Sequence, residues 1–426
     1  MREADFGLFE RFGVELEYMI ARRDTLEVAP IADRILASHG DEPGSELRVG
    51  DVEWTNELVL HVLEMKTPDG PATSLSGLAD AFQEGVREAN ARLEPEGALL
   101  LPAGVHPTMD PHRDARLWPH EFGPVYRAFD RIFDCRGHGW SNLQSAHLNL
   151  PFSGDDEFAR LHAAIRFLLP LMPALSASSP VVDGRAAPWL DARMAFYRDN
   201  ARRIPSVSGL VVPEPVQDEA EYRERILSRI YVDMAGLDPD GILRYEWVNA
   251  RGAIARFERG SIEIRVLDVQ ECPLADLAIM AAITQVLRAL CAEETAGIAS
   301  LNAFSTERLA AILAETIRAG DGAMIEDAEY LRLLGVHADA GLAADEAWLR
   351  LLHRFPLEGA DAARWSGALD VILKEGCLAR RIRRRLGTEP DALTIRAVWT
   401  ELADCLAHGR QLRQLEVGEP ERIRGK

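Results

Sequence analysis

The sequence predicts an α+β protein, in which helices cover a mainly antiparallel sheet and a helical lobe follows at the C-terminal end. Three observations predict it. Segments with period-two alternation recur at residues 12–20, 145–150 and 261–267, each with one apolar and one polar or charged face. Amphipathic segments stepping by three and four residues lie between them, and beyond Glu293-Glu294 only that helical period remains. Strands joined partly by hairpins, with interspersed helices, favour an antiparallel sheet over a doubly wound parallel one.

In the first strand Phe12, Val14, Leu16, Tyr18 and Ile20 share one face, while Gly13, Glu15 and Glu17 share the other. Residues 58–66 read as a strand, Leu75, Leu78, Phe82, Val86, Ala89 and Leu93 as a helix face, and residues 98–101 as a further strand. Residues 145–150 set Leu148 and Leu150 against His147 and Asn149. Phe158, Leu161, Ile165 and Leu169 mark a helix that Pro170 ends. Arg259-Gly260 reads as a tight turn joining residues 253–258 to residues 261–267, where Ile262, Ile264 and Val266 alternate with Glu263 and Arg265. Helices follow at Leu309, Ile312, Leu313 and Ile317, and at Ile395, Val398, Leu402 and Leu406 before Gly409. The expected division is a sheet-bearing domain over residues 1–292 and a helical region over 293–426 packed on it.

With 426 residues, 47% hydrophobic and 27% charged, the chain can bury a large core, which excludes disorder and collagen-like repeats. Asp and Glu outnumber Lys and Arg by 68 to 48, a formal charge of -20. That field repels phosphate polymers and anionic lipid, so no nucleic-acid or membrane partner is expected. The lysines are Lys66, Lys374 and Lys426, and no Gly-Lys-Ser/Thr step occurs, so phosphate handling falls mainly to guanidinium groups. Cys135, Cys272, Cys291, Cys377 and Cys405 are odd in number and form no C-x-x-C pair, as for small buried apolar residues in a reducing compartment. The N-terminal stretch MREADFGLFERFG lacks the pattern of a secretory leader, and Arg166, Pro170 and Pro173 break the apolar stretch 161–182. A cytoplasmic protein is expected. The basic run Arg380, Arg381, Arg383, Arg384 and Arg385 reads as a solvated helix face paired with nearby acids.

The chemistry starts from Glu15 and Glu17, about 6.6 Å apart on one strand face. At an effective dielectric of about 20 their mutual repulsion is about 2–3 kcal/mol, so a sheltered face calls for a cation or a raised pKa. Glu263, His147 and Glu57 or Glu64 converge on the same surface if these strands are neighbours. Such an oxygen-rich set suits Mg²⁺ or Mn²⁺, a lone His leaning towards manganese, while the lack of clustered thiolates and imidazoles disfavours zinc. Arg251 and Arg193 are candidates to clamp the α-carboxylate of an amino acid, and Trp247 to wall the pocket. Lys66 is expected to snorkel, and His106 and His112 match no ligand spacing.

The segments FGVELEY (12–18), NELVLHVLEMKTP (56–68), GVHP (104–107), LQSAHLNL (143–150), SSPVVDGR (178–185), WVNARG (247–252) and SIEIRVLD (261–268) occur in an order that resembles the second family of glutamate-cysteine ligases, which includes bacterial carboxylate-amine ligases. The resemblance implies a glutamine-synthetase-like fold whose antiparallel sheet forms a funnel for ATP, divalent cations and an amino acid. It implies one metal site at Glu17, Glu57 and Glu64, and another at Glu15, His147 and Glu263, with Arg265 facing the transferring phosphoryl group. The expected reaction is ATP-dependent joining of the glutamate side-chain carboxylate to an amine, that of cysteine in the family, through an acyl phosphate. A kinase on the same scaffold, or a non-catalytic nucleotide- and metal-binding protein, are the alternatives; the expected partners are small molecules, with homo-oligomerisation left open. Glu57 and Glu64 are seven residues apart, on opposite faces of an ideal strand, so joint ligation requires a bulge or a strand end at Glu57. Where the family often has H-x-H-x-G, this chain has His147-Leu148-Asn149-Leu150-Pro151.

Overall fold

The period-two segments pair with one another in the computed structural model, which describes residues 6–37, 44–68, 72–338 and 340–414. The first five residues, part of the stretch read above for a leader, lie outside it. The strands are β1 (Gly13–Arg22), β2 (Glu46–Val49), β3 (Val52–Asn56), β4 (Val62–Lys66), β5 (Ala98–Leu101), β6 (Ser145–Pro151), β7 (Val181–Val182), β8 (Arg185–Ala186), β9 (Ala253–Arg256), β10 (Ser261–Asp268), β11 (Met324–Ile325) and β12 (Leu342–Ala343). Eight form one sheet in the order β2-β3-β4-β1-β6-β10-β9, with β5 pairing the C-terminal part of β1 beside β6. All its pairings are antiparallel.

The apolar faces line up across this order. Val14, Leu16, Tyr18 and Ile20 are fully buried, as are Trp54, Leu63, Met65, Leu148, Ile262 and Ile264 from neighbouring strands. They join one core with residues of helices Leu78–Leu93, Gly154–Leu168 and Pro273–Cys291. Pro273–Cys291 is long and apolar enough to cross a membrane, but 83% of that stretch is buried inside the protein, which makes it a core helix. It packs on helix Ala362–Glu375, and Leu309, Ile317, Trp348 and Trp365 of the C-terminal region enter the same core. The β11–β12 ribbon interrupts the wholly helical texture expected there.

Three local departures bear on the cleft. First, the expected strand 58–66 begins only at Val62; residues 57–61 turn away to pair with another segment, through Trp118 N–H to Leu58 O and Leu60 N–H to Arg116 O. Glu57 therefore sits just past the end of β3, which removes the parity objection to its meeting Glu64. Second, the β9–β10 turn is a four-residue loop, Phe257 to Gly260, closed by Arg259 N–H to Arg256 O at 2.9 Å, with Gly260 at φ +64°. Third, the β6–β10 register shifts between Ile264 and Leu267, a bulge of one residue on β10. Leu267 pairs with Ala146 and keeps to the core, and Asp268, opposite Ser145, is brought to the polar face.

The basic run differs from its expectation most at Arg381, while Arg383 and Arg384 donate to the Ala187 and Glu375 carbonyls rather than to acids. Arg380 pairs with Asp321 and Arg385 with Glu401, but Arg381 is buried against Glu271 at 2.5 Å and donates to Leu412 O. Like Ile382 beside it, it faces inward on helix Leu378–Leu386. The five cysteines are buried and unpaired.

Candidate active site

Strands β4, β1, β6 and β10 are consecutive, so their polar faces open on one cleft of about 650 Å³. The register places Glu17 opposite Glu64, Glu15 opposite both Lys66 and His147, and Glu263 opposite Asn149. Side-chain oxygens of Glu17, Glu57 and Glu64 lie within 4.8 Å of one another, as do ligand atoms of Glu15, Glu64 and His147. Glu64 belongs to both groups. Three carboxylates packed this closely, with no guanidinium or ammonium among the described residues in ion-pair contact, are a donor set suited to a hard divalent cation.

Hydrogen bonds hold the set in place. Glu17 accepts from the Ser145 N–H at 2.8 Å, Thr55 Oγ1 donates to Glu64 at 2.7 Å, and the Leu58 N–H donates to Glu57 at 3.2 Å. His147 lies between Glu15, with Nδ1 2.8 Å from Oε2, and Ser145 Oγ, 2.9 Å from Nε2. Asn149, in place of the family's second His, donates to Glu15 at 3.1 Å. Burial and the charges of Glu64 and Glu17 push Glu57 well above the carboxylate range. Burial and the charges of Glu15 and Glu17 push Glu64 up to about 7. Burial opposes the charged form of His147, but its hydrogen bond to Glu15 and the surrounding carboxylates raise it to about 9. With no cation present, protons supply the missing positive charge.

The β10 side of the cleft is built differently. Glu263 is almost fully buried between two guanidiniums: Arg265 Nε donates to Oε1 at 2.5 Å and Arg256 Nη1 to Oε2 at 2.8 Å. Against its burial, Arg265 and Arg256 hold its carboxyl well below the usual range. Expected as a metal ligand, Glu263 lies 3.8 Å from His147 Nδ1 but outside both compact groups, and these guanidiniums engage both of its oxygens. Arg193 lines the cleft from helix Ala192–Tyr197, its Nε bonded to Asp268 at 2.5 Å and its Nη2 to Arg265 O at 3.1 Å. Asp268 is fixed in turn by Ser178 N–H and Ser179 Oγ, and Gly104 leaves it room, since a Cβ there would sit 2.5 Å from its Cγ. Trp247 lines the cleft, stacked on Tyr245 and packed on Phe129, and Trp140 and Tyr126 extend this aromatic wall.

Arg251 is a correction: it does not reach the cleft. Glu214 takes its Nε and Nη2 at 2.5 and 2.7 Å, and Asn249 Oδ1 and Ser206 O take its Nη1, so four of its five N–H groups are committed away from the cleft. His106 is buried with Nε2 on Leu26 O, and Lys66 is held by Glu53 and Glu46. The sequence reading missed Arg256 and Asp268. Arg256 was within reach of it, because counting across the four-residue loop sets it opposite Ser261, on the face of Glu263 and Arg265.

Residues 11–403 match the model of glutamate-cysteine ligase family 2. The chain belongs to that family. An uncharacterized protein of Archaeoglobus fulgidus is 36% identical over 335 residues, 77% of this chain and 90% of its own. A glutamate-cysteine ligase of Halobacterium salinarum is 26% identical over 288 residues, 66% of this chain and 69% of its own. The crystal structure of the Francisella tularensis glutamate-cysteine ligase, in complex with AMP, superposes with a TM-score of 0.61 over 97% of this chain and 91% of that one, at 14% identity. The glutamine-synthetase-like fold expected from the sequence is the one observed. This family-2 ligase is an ATP-dependent enzyme that forms a carbon-nitrogen bond.

Proposed function

We propose that the enzyme activates the side-chain carboxylate of glutamate as an acyl phosphate and transfers it to an amine, with cysteine as the amine. One observation carries the reading: two overlapping carboxylate groups, sharing Glu64, abut a guanidinium-lined end of the same cleft. A carboxylate is a poor acyl donor because oxide would have to leave, so amide formation needs prior phosphorylation. Phosphoryl transfer between anions needs charge neutralisation and in-line positioning.

In this reading Glu17, Glu57 and Glu64 hold one Mg²⁺ or Mn²⁺ and Glu15, His147 and Glu64 the other, with Glu263 bordering the second. Bound there, the ions supply charge neutralisation for the phosphates. Arg265 carries the chain's own contribution: its Nε is anchored on Glu263, leaving its terminal nitrogens to stabilise charge on the transferred group. Arg193 has Nε and Nη2 engaged, so its Nη1 is the donor it offers to a substrate carboxylate. Trp247 and the aromatic wall exclude water, which would otherwise hydrolyse the acyl phosphate.

The test is phosphate release from ATP and Mg²⁺ with glutamate and cysteine, alone and together. Release that requires both amino acids, with a γ-glutamyl amide as product, is expected. A stable phosphorylated product without amide would make the protein a phosphotransferase instead.

A further inference from the structure

Behind the cleft wall that Arg193 lines, two carboxyls share one guanidinium. Asp191, Asp268 and Arg193 are all buried, at 0%, 0% and 1% exposure. Asp268 is well supplied with donors: Oδ1 accepts from Arg193 Nε at 2.5 Å, and Oδ2 accepts from the Ser178 N–H at 2.9 Å and from Ser179 Oγ at 2.7 Å. Asp191 is not. Its Oδ1 accepts from the Met194 N–H at 2.8 Å, capping helix Ala192–Tyr197, while its buried Oδ2 meets no donor among the described residues. One guanidinium offsets one carboxylate. A second carboxylate, ionised and short of donors, would be an uncompensated charge in a dry site, so one of the two keeps a proton.

The donors decide which carboxyl keeps it. Asp268, ringed by three of them, is the anion, and Asp191, with one, is the acid. The two carboxyls are in hydrogen-bond contact, which requires a proton between them, and burial with the Asp268 charge pushes Asp191 well above the carboxylate range. Ser179 cannot supply the missing donor, because its Oγ donates to Asp268 and accepts from the Arg193 N–H at 3.0 Å. The charges that bear on Asp191 are Asp268 from β10 and Arg193 from its own helix. Helix Thr306–Ala319 presents the Ile317 carbonyl to the Asp191 N–H at 3.1 Å, and its Arg318 and Glu315 pair with each other. Backbone bonds of Ala192 N–H to Ser179 O and of Ser179 N–H to Leu190 O, both 3.2 Å, keep Asp191 beside the serines that hold Asp268.

We propose that Asp191 is a positioning residue for Arg193: un-ionised, it donates Oδ2–H to Asp268 and so fixes the one carboxylate on which Arg193 is seated. The trio is then neutral, and Arg193 Nη1 can draw a substrate carboxylate. With Asp191 ionised the trio would carry a net negative charge and repel that carboxylate. The substrate half of the proposal rests on the ligase reading above; the placing of the proton does not.

Asp191→Asn and Asp191→Ser, made in the full chain, separate this role from helix capping, because both keep a capping oxygen but only Asn reaches Asp268 with a donor. In phosphate release with glutamate, cysteine and Mg²⁺·ATP, Asp191→Asn should keep kcat and the KM for glutamate within about threefold of the parent. Asp191→Ser should raise the KM for glutamate by about tenfold, the loss of one charge-assisted hydrogen bond, with kcat and the KM for ATP within about threefold. Infrared difference spectra of the parent against Asp191→Asn read the proton itself: the carbonyl stretch of an un-ionised carboxyl should be present in the parent at pH 6 and at pH 8 and missing from the variant. The other carboxyls of the cleft cancel in that difference. An absent band would overturn the proposal, as would a tenfold higher KM for glutamate in Asp191→Asn or its failure to fold, since each would mean that the ionised form is needed. An unchanged KM in Asp191→Ser would remove Arg193 from its influence and sink the positioning role. If Asp191→Ser does not fold, the band and the Asp191→Asn kinetics decide. A parent without glutamate-dependent phosphate release would overturn the ligase reading, and the band would still decide where the proton lies.

Discussion

Divalent-ion binding should displace protons, and the amount follows from the cleft. Without a cation, His147 titrates at about 9 and Glu64 at about 7. At pH 7 His147 then carries about one proton and Glu64 about half of one, and Glu57, pushed well above the carboxylate range by burial, Glu64 and Glu17, adds to this. Ligation requires these groups in their deprotonated forms, so Mn²⁺ binding at pH 7 should release at least about 1.5 protons if both groups of ligands fill. The apparent association constant should correspondingly rise by more than an order of magnitude per pH unit near pH 7. Titrating Mn²⁺ into metal-free protein in two buffers of different ionisation enthalpy reads the proton number directly, and repeating it from pH 6 to 8 reads the slope. Binding that releases no protons, or an affinity that is flat across this range, would refute the placing of ions at these residues.

The same groups should make metal-free stability fall with rising pH. Both folded-state values are raised, so their stabilising contribution is complete below the unfolded values and is lost as pH climbs through about 7 for Glu64 and about 9 for His147. Thermal melts of metal-free protein should drop between pH 6 and 9, and Mg²⁺ or Mn²⁺ should raise the melting temperature more at pH 9 than at pH 6. Glu263→Gln removes the shared anchor of Arg256 and Arg265 and should cut turnover by at least about a hundredfold, with Arg265→Lys losing about as much because a point charge does not replace the fork. Unchanged phosphate release in both variants would dismiss these roles. Arg251→Ala breaks the bidentate pair with Glu214 and should cost about 3 kcal/mol in denaturant unfolding, leaving ATP affinity of the folded fraction intact. Gly104→Ala drives a Cβ into the Asp268 carboxyl and should destabilise the protein by about 1–3 kcal/mol while loosening Arg193, seen as a raised KM for the amino acid.

Much of the cleft was legible because strand parity is local. Glu15 with Glu17, His147 with Asn149, and Glu263 with Arg265 each share a face by the two-residue repeat alone, and adjacent strands then bring the faces together. The strands β2 and β3 were not legible: β2 is short and largely exposed, and the stretch that includes Val52, Trp54 and Asn56 lacks a clean apolar alternation. The role of Arg251 was misread for a different reason. Nothing in the residues around it announces Glu214, 37 positions away, and only their meeting consumes its donors.

What the sequence by itself determined is which side chains point the same way along each strand, acids, an imidazole and an arginine among them. That follows from the pleat and needs no partner. Tertiary structure alone decided where a strand stops and what each charged group meets. The turn after β3 carries Glu57 to Glu64, the bulge in β10 turns Asp268 towards Arg193, and the pairing of β9 with β10 sets Arg256 against Glu263. Each depends on contacts between residues distant in the chain, whose energies no local repeat encodes.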